Sequence, residues 1–186
     1  MTNSSGLGTQ SDSAIPPDDL SRSLVVSRSA DQNLPHIGVV GDTYTILLTG
    51  KDTAGRFSLI DMHIPPRGGP GAHRHDFEES FIILEGEIEA TFRGVKSIAR
   101  AGETVHIPAD APHQFQNSSD RPARLLCICS PSGLEGFFAQ VGYQLQRERP
   151  RRQAWMRKLR RNSQQKLRYW HRSIGRSYCN TLEGNT

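Results

Sequence analysis

Two histidines one residue apart, His73 and His75, are followed by Glu79, and a third, His113, stands behind a proline-rich turn. Imidazole nitrogens with a carboxylate oxygen make a borderline donor set that suits Fe, Mn, Ni, Co, Cu or Zn, with water in any open position. The expectation is that His73, His75, Glu79 and His113 bind one divalent transition metal. The chain has seven histidines in 186 residues, and four of them (His73, His75, His106 and His113) fall between 73 and 113. The competing reading is a set of surface histidines beside an acidic loop, and His-x-His alone does not decide between the two.

Such a centre needs elements that aim the side chains at one point. On extended backbone His73 and His75 share a face, because side chains alternate with period two. Glu79 must arrive after a bend, for which Asp76-Phe77-Glu78 is placed, and His113 is expected on a neighbouring antiparallel strand. Tyr44, Ile46 and Leu48 alternate with Thr43, Thr45 and Leu47. A polar turn from Gly50 to Gly55 leads to a second strand over 57–64, which Pro65 and Pro66 end because neither can donate to a ladder. Short strands are predicted at 81–85, 88–92, 97–100, 104–107, 113–116 and 124–129, separated by Gly and Pro turns. That punctuation reads as an all-β sandwich or barrel. A cap and one or two helical turns are predicted over 132–138.

With these residues in view, the chain resembles the cupin family. The first cupin motif is matched by His73, His75, Glu79 and Gly86 at its spacing, and the second by Gly102, Pro108, His113 and Asn117. Asp110 stands where that pattern has glycine, an Asn/Asp position that tolerates a left-handed backbone. The glycine approach to His73 is one residue off the strict spacing. The resemblance covers roughly residues 40–130 and implies a cupin barrel (double-stranded β-helix, or jelly roll) with a short C-terminal helical segment. It assigns His73, His75, Glu79 and His113 to the metal and makes Glu79 a candidate catalytic base. Within the family the chain looks most like small single-domain proteins similar to quercetin dioxygenases. It is thus expected to be a metal-dependent oxygenase for a small aromatic or enol-like substrate. The alternatives are a non-catalytic binding cupin and a cupin isomerase or lyase. The resemblance also implies a homodimer.

Alternation predicts the wall of the site. Phe115 shares a face with His113, and Phe81 and Ile83 share one with Glu79. From the second strand either Met62 or the pair Asp61 and His63 faces in. The predicted pocket wall is Met62, Phe81, Ile83 and Phe115, with plain barrel core as the competing reading. His106 faces away from Val105 and Ile107 and is expected at a rim or interface, or simply satisfied. Cys127 and Cys129 are expected to pack as small buried hydrophobes.

The composition divides the chain into an arm (1–33), a barrel (34–141) and a basic extension (142–186). Leu24-Val25-Val26 in the arm is a candidate edge strand or swapped segment. Residues 147–176 hold twelve Lys and Arg against Glu148, leaving eleven basic and eighteen acidic residues elsewhere. The positive balance thus belongs to one segment. A nucleic-acid arm is physically reasonable for such a run, yet the apolar spacing of Trp155 and Leu159 makes no stripe. Read one base out of frame, the same codons permit a proline-rich linker and then Leu-Ala-Pro-Lys-Tyr-Arg. The expectation is a frameshift near Gly142 and no evolved nucleic-acid role. No apolar run approaches 18 residues, and cysteine usage and the absence of a signal-like start point to a cytoplasmic protein without membrane contact.

Overall fold

A computed structural model describes residues 15–145. The basic run, the expected out-of-frame tail and Cys179 lie outside the described residues. The strands are β1 (His36–Val39), β2 (Asp42–Leu48), β3 (Ser58–Ile64), β4 (Glu78–Glu85), β5 (Glu87–Phe92), β6 (Val95–Arg100), β7 (Thr104–Ile107), β8 (His113–Gln116), β9 (Ala123–Ser130) and β10 (Tyr143–Gln144). One helix, α1 (Leu134–Val141), precedes β10. Seven strands form one sheet in the order β10-β1-β2-β3-β9-β4-β7, and three form a second in the order β6-β5-β8. The ladders between these strands are antiparallel.

The sheets face each other because their strands alternate. On β9, Ala123, Leu125, Cys127 and Cys129 are buried and the residues between them less so. On β4 the same holds for Glu79, Phe81 and Ile83. Phe81 of the large sheet meets Phe115 of the small one edge-on at 5.0 Å between ring centres. Ile60, Ile64, Ile83, Ile88 and Leu125 are fully enclosed around them. Burying side chains of this size contributes about 1.5–3 kcal/mol each before entropy is counted.

The strand β4 begins at Glu78, three residues ahead of the predicted start, and α1 runs three residues past the predicted end. No Ser or Thr side chain caps α1. Gly133 is the N-cap, and the Glu135 carboxylate takes its N–H at 2.9 Å and that of Gly50 at 2.8 Å. Phe138 of α1 stacks on Tyr44 at 4.1 Å, closing one end of the barrel. β10 lies beyond the boundary drawn at 141 and pairs with β1 through Tyr143 and Gln144.

Leu24-Val25-Val26 form no strand, and Leu24 and Val26 are exposed. The arm is tied down at Ser29, whose hydroxyl donates to Asp61. Asp61 is thereby buried on the outer side of β3, where Arg124 Nη2 reaches it at 2.6 Å. Met62, between them, faces inward and His63 is exposed, which settles the choice left open on this strand.

Candidate metal centre

His73, His75, Glu79 and His113 are brought together: one donor atom from each lies within 4.8 Å of all the others. Backbone pairing does this. The segment from Arg67 to His73 runs antiparallel to β8, with Arg67 N–H donating to Asn117 O at 2.7 Å and Asn117 N–H to Gly68 O at 2.9 Å. At its end His73 and His113 exchange both backbone bonds at 2.9 Å. His73 makes this single bridge, so the His-x-His is extended chain docked on β8 and not a strand.

Gly69 makes the docking possible. Its φ of 118° is in the region that favours glycine, and a Cβ there would collide with the Phe115 carbonyl oxygen. Asn117 fixes the other side. Fully buried, it donates to Ile64 O at 3.0 Å and Arg121 O at 2.7 Å, and accepts from Ser119 N–H at 3.1 Å. Asp110 takes the left-handed backbone anticipated for it, with φ 62°, and donates its N–H to His75 O at 2.6 Å. Bends at Asp76 and Phe77 then turn the chain into β4, which delivers Glu79.

The orientation of each ring is set by a nearby carbonyl. His73 Nδ1 lies 2.8 Å from Gly71 O, His75 Nδ1 2.9 Å from Phe77 O, and His113 Nδ1 2.8 Å from Ala111 O. A carbonyl only accepts, so each Nδ1 carries a proton, and in the neutral form of the ring that a metal binds Nε2 is left as a lone pair. His75 Nε2 and His113 Nε2 face Glu79 Oε2 at 3.2 and 3.3 Å. His113 Nε2 is buried and makes no hydrogen bond. With the rings in this form, acceptors face acceptors in a buried space. A cation at the centre resolves that conflict, and carbonyls that lock ligand tautomers are what metal-bound imidazoles need from their surroundings. The residues present fit a divalent transition metal.

The electrostatics follow from this crowding. Burial pushes the His73 imidazole down to about 4, with His113 beside it adding to the effect. Burial opposes ionisation of Glu79, but when no cation is bound, hydrogen bonds from His113 and His75 protonated at Nε2, and the charge of His75, outweigh it and hold the carboxyl below the usual carboxylate range. Burial drives the Cys127 thiol well above its usual range.

Of the predicted wall, Met62, Phe81, Ile83 and Phe115 are all buried in the core cluster. His106 is exposed and satisfied, 3.1 Å from Glu78 Oε2 and 3.0 Å from Ser80 Oγ. Two features escaped the sequence reading. Phe77 stacks flat on the His75 ring at 3.7 Å besides supplying its carbonyl, and an aromatic two residues after a ligand was the signal available. Cys127 and Cys129 are buried as expected, yet they also touch Glu79; only the pairing of β9 with β4 shows that.

Comparison with known proteins agrees with this architecture. The Cupin domain family model matches residues 60–129, and over this stretch the chain is similar to cupin domains. An uncharacterized protein of Methanocaldococcus jannaschii is 28% identical over 109 residues, covering 58% of this chain and 87% of that one. Quercetin 2,3-dioxygenase of Bacillus subtilis is 26% identical over 103 residues, 53% of this chain but only 29% of the dioxygenase. Among solved structures, a predicted oxalate decarboxylase of Thermotoga maritima superposes with a TM-score of 0.52 at 21% identity. It covers 57% of this chain and 99% of its own. The last likeness shows the fold alone: an all-β cupin barrel with one short helix.

Proposed function

We propose that the protein is a metal-dependent oxygenase acting on a small aromatic or enol-like substrate. The observation that carries the metal is the set of three imidazoles, each tied through Nδ1 to a backbone carbonyl, with two Nε2 lone pairs pressed against Glu79. The oxygenase reading is supported by the likeness to quercetin dioxygenase. When bound, a transition metal supplies Lewis-acid polarisation of a substrate hydroxyl and, if redox-active, one-electron chemistry with O₂. The chain's residues do the rest. His73, His75 and His113 hold the donor geometry, and His73, the half-buried member, marks the side of approach. Met62, Phe81, Ile83 and Phe115 exclude water. Glu79 Oε2 is the group placed to accept a proton from a hydroxyl brought to the centre.

A second reading, a cupin that binds a metal or small molecule without turnover, is favoured by how completely Phe81, Ile83 and Phe115 fill the interior. They are at most 2% exposed.

Metal analysis of the purified protein, with O₂ uptake on a flavonol and a catechol, separates the readings. Iron, copper, nickel or manganese with uptake supports the oxygenase. Zinc without turnover on either compound supports binding alone. We further propose that the protein is a cytoplasmic homodimer, in keeping with the exposed apolar side chains of Leu20, Leu24 and Val26 on the arm.

A further inference from the structure

The two oxygens of Glu79 have different surroundings. Oε2 faces His75 and His113. Oε1 faces the other way, toward Cys127 Sγ at 3.4 Å and Cys129 Sγ at 3.9 Å, and the two sulfurs are 3.4 Å apart. Strand pairing creates this contact, with Cys129 opposite Glu79 and Cys127 opposite Phe81 in the β4–β9 ladder. Both cysteines are fully enclosed. A buried carboxylate oxygen left without a donor keeps its full desolvation penalty, so it needs one. The thiol of Cys127 is at the right distance to be that donor, and Cys129 is placed to donate to Cys127 in turn.

We propose that Cys127, backed by Cys129, is a positioning residue of the centre: its S–H holds Glu79 Oε1 so that Oε2 alone is presented to the three imidazoles. This rests on reading the His/Glu cluster as a metal centre. A carboxylate released at Oε1 can rotate, or offer both oxygens to one metal. Either changes affinity and coordination number with no ligand removed. The thiols and Glu79 also lie close enough together to serve as ligands themselves. Thiolate coordination is therefore the alternative to be tested.

The test uses the full chain, stripped of metal and titrated with Co²⁺, in the wild type and in Cys127→Ala, Cys127→Val and Cys127→Ser. The valine variant removes the donor while keeping volume, in case alanine fails to fold. Melting in chelator reports the fold separately. Expected are Co²⁺ affinities about 10–100-fold weaker for Ala and Val, the range for losing a ligand's supporting partner. The visible Co²⁺ bands should change in intensity, and serine should restore affinity and spectrum. Equal affinity and identical bands in wild type and Val overturn the proposal. So does a sulfur-to-cobalt charge-transfer band in the near ultraviolet that disappears with Cys127, since sulfur would then be a ligand. A wild type that takes up no Co²⁺ overturns the metal-centre reading, and this proposal with it. Loss confined to the cysteine variants belongs to this proposal alone.

Discussion

Each candidate ligand of the centre is held in place by contacts within the protein itself. Three backbone carbonyls orient the imidazoles, and Glu79 sits between two of those rings and two thiols. His113 is the most dependent on a cation, being buried with Nε2 unpartnered. Metal added at 100 times its dissociation constant is expected to stabilise the wild type by about 2.7 kcal/mol. His113→Ala should abolish that gain, which thermal melting with and without chelator reads directly. Glu79→Gln separates two roles. If Glu79 is the base, turnover falls by about 10²–10⁴-fold while metal content by elemental analysis is retained. Unchanged turnover excludes the base.

Among the elements, the glycine approach and the outer face of β3 are the vulnerable places. Gly69→Ala puts a Cβ against the Phe115 carbonyl at a φ of 118°. A loss of about 1–3 kcal/mol is expected for forcing that backbone, with weaker metal binding because His73 is pulled from β8. A urea titration beside a metal titration shows both. On the outer face, burial works against the Asp61 carboxylate, but Arg124 and Ser29 prevail and lower its pKa. A lowered carboxylate contributes stability at pH above its unfolded value of about 3.9 and loses it as pH falls through the folded value. Arg124→Ala should therefore cost roughly 2 kcal/mol at neutral pH. That is below the 3–5 of a fully buried pair, because Arg124 is partly exposed. The acid-induced loss should also begin at a higher pH. Urea midpoints between pH 3 and 7 would reveal an unchanged acid limb if the pair contributes nothing.

For the whole molecule, the arm is pinned by Ser29 while Leu24 and Val26 face solvent. Exposed apolar side chains on a tethered segment favour cover by a second copy. The homodimer is expected to give twice the chain mass in light scattering. Leu24→Asp with Val26→Asp should shift it toward the monomer without lowering the melting temperature of the barrel by more than a few degrees. A wild type that runs as a monomer at all concentrations rules the dimer out. Among the described residues no helix is long and apolar enough to cross a membrane.

Residue type and spacing put His73, His75, Glu79 and His113 forward as candidate ligands, which the family resemblance then assigned to a metal. They also carried the alternation that turns Phe81, Ile83 and Phe115 inward and the left-handed turn tolerated at Asp110. Each is a local property: period two on extended chain, or a backbone region open to few side chains. Other features depend on which strands become neighbours and in what register. Tertiary pairing placed His73 on β8 by one bridge, and buried Asp61 on an outer face where alternation alone would expose it. It also set Cys127 and Cys129 against the second oxygen of Glu79 across some fifty residues of chain. That contact could not be read from the cysteines themselves, because a strand's sequence says which side chains share a face and not what the next strand brings to it.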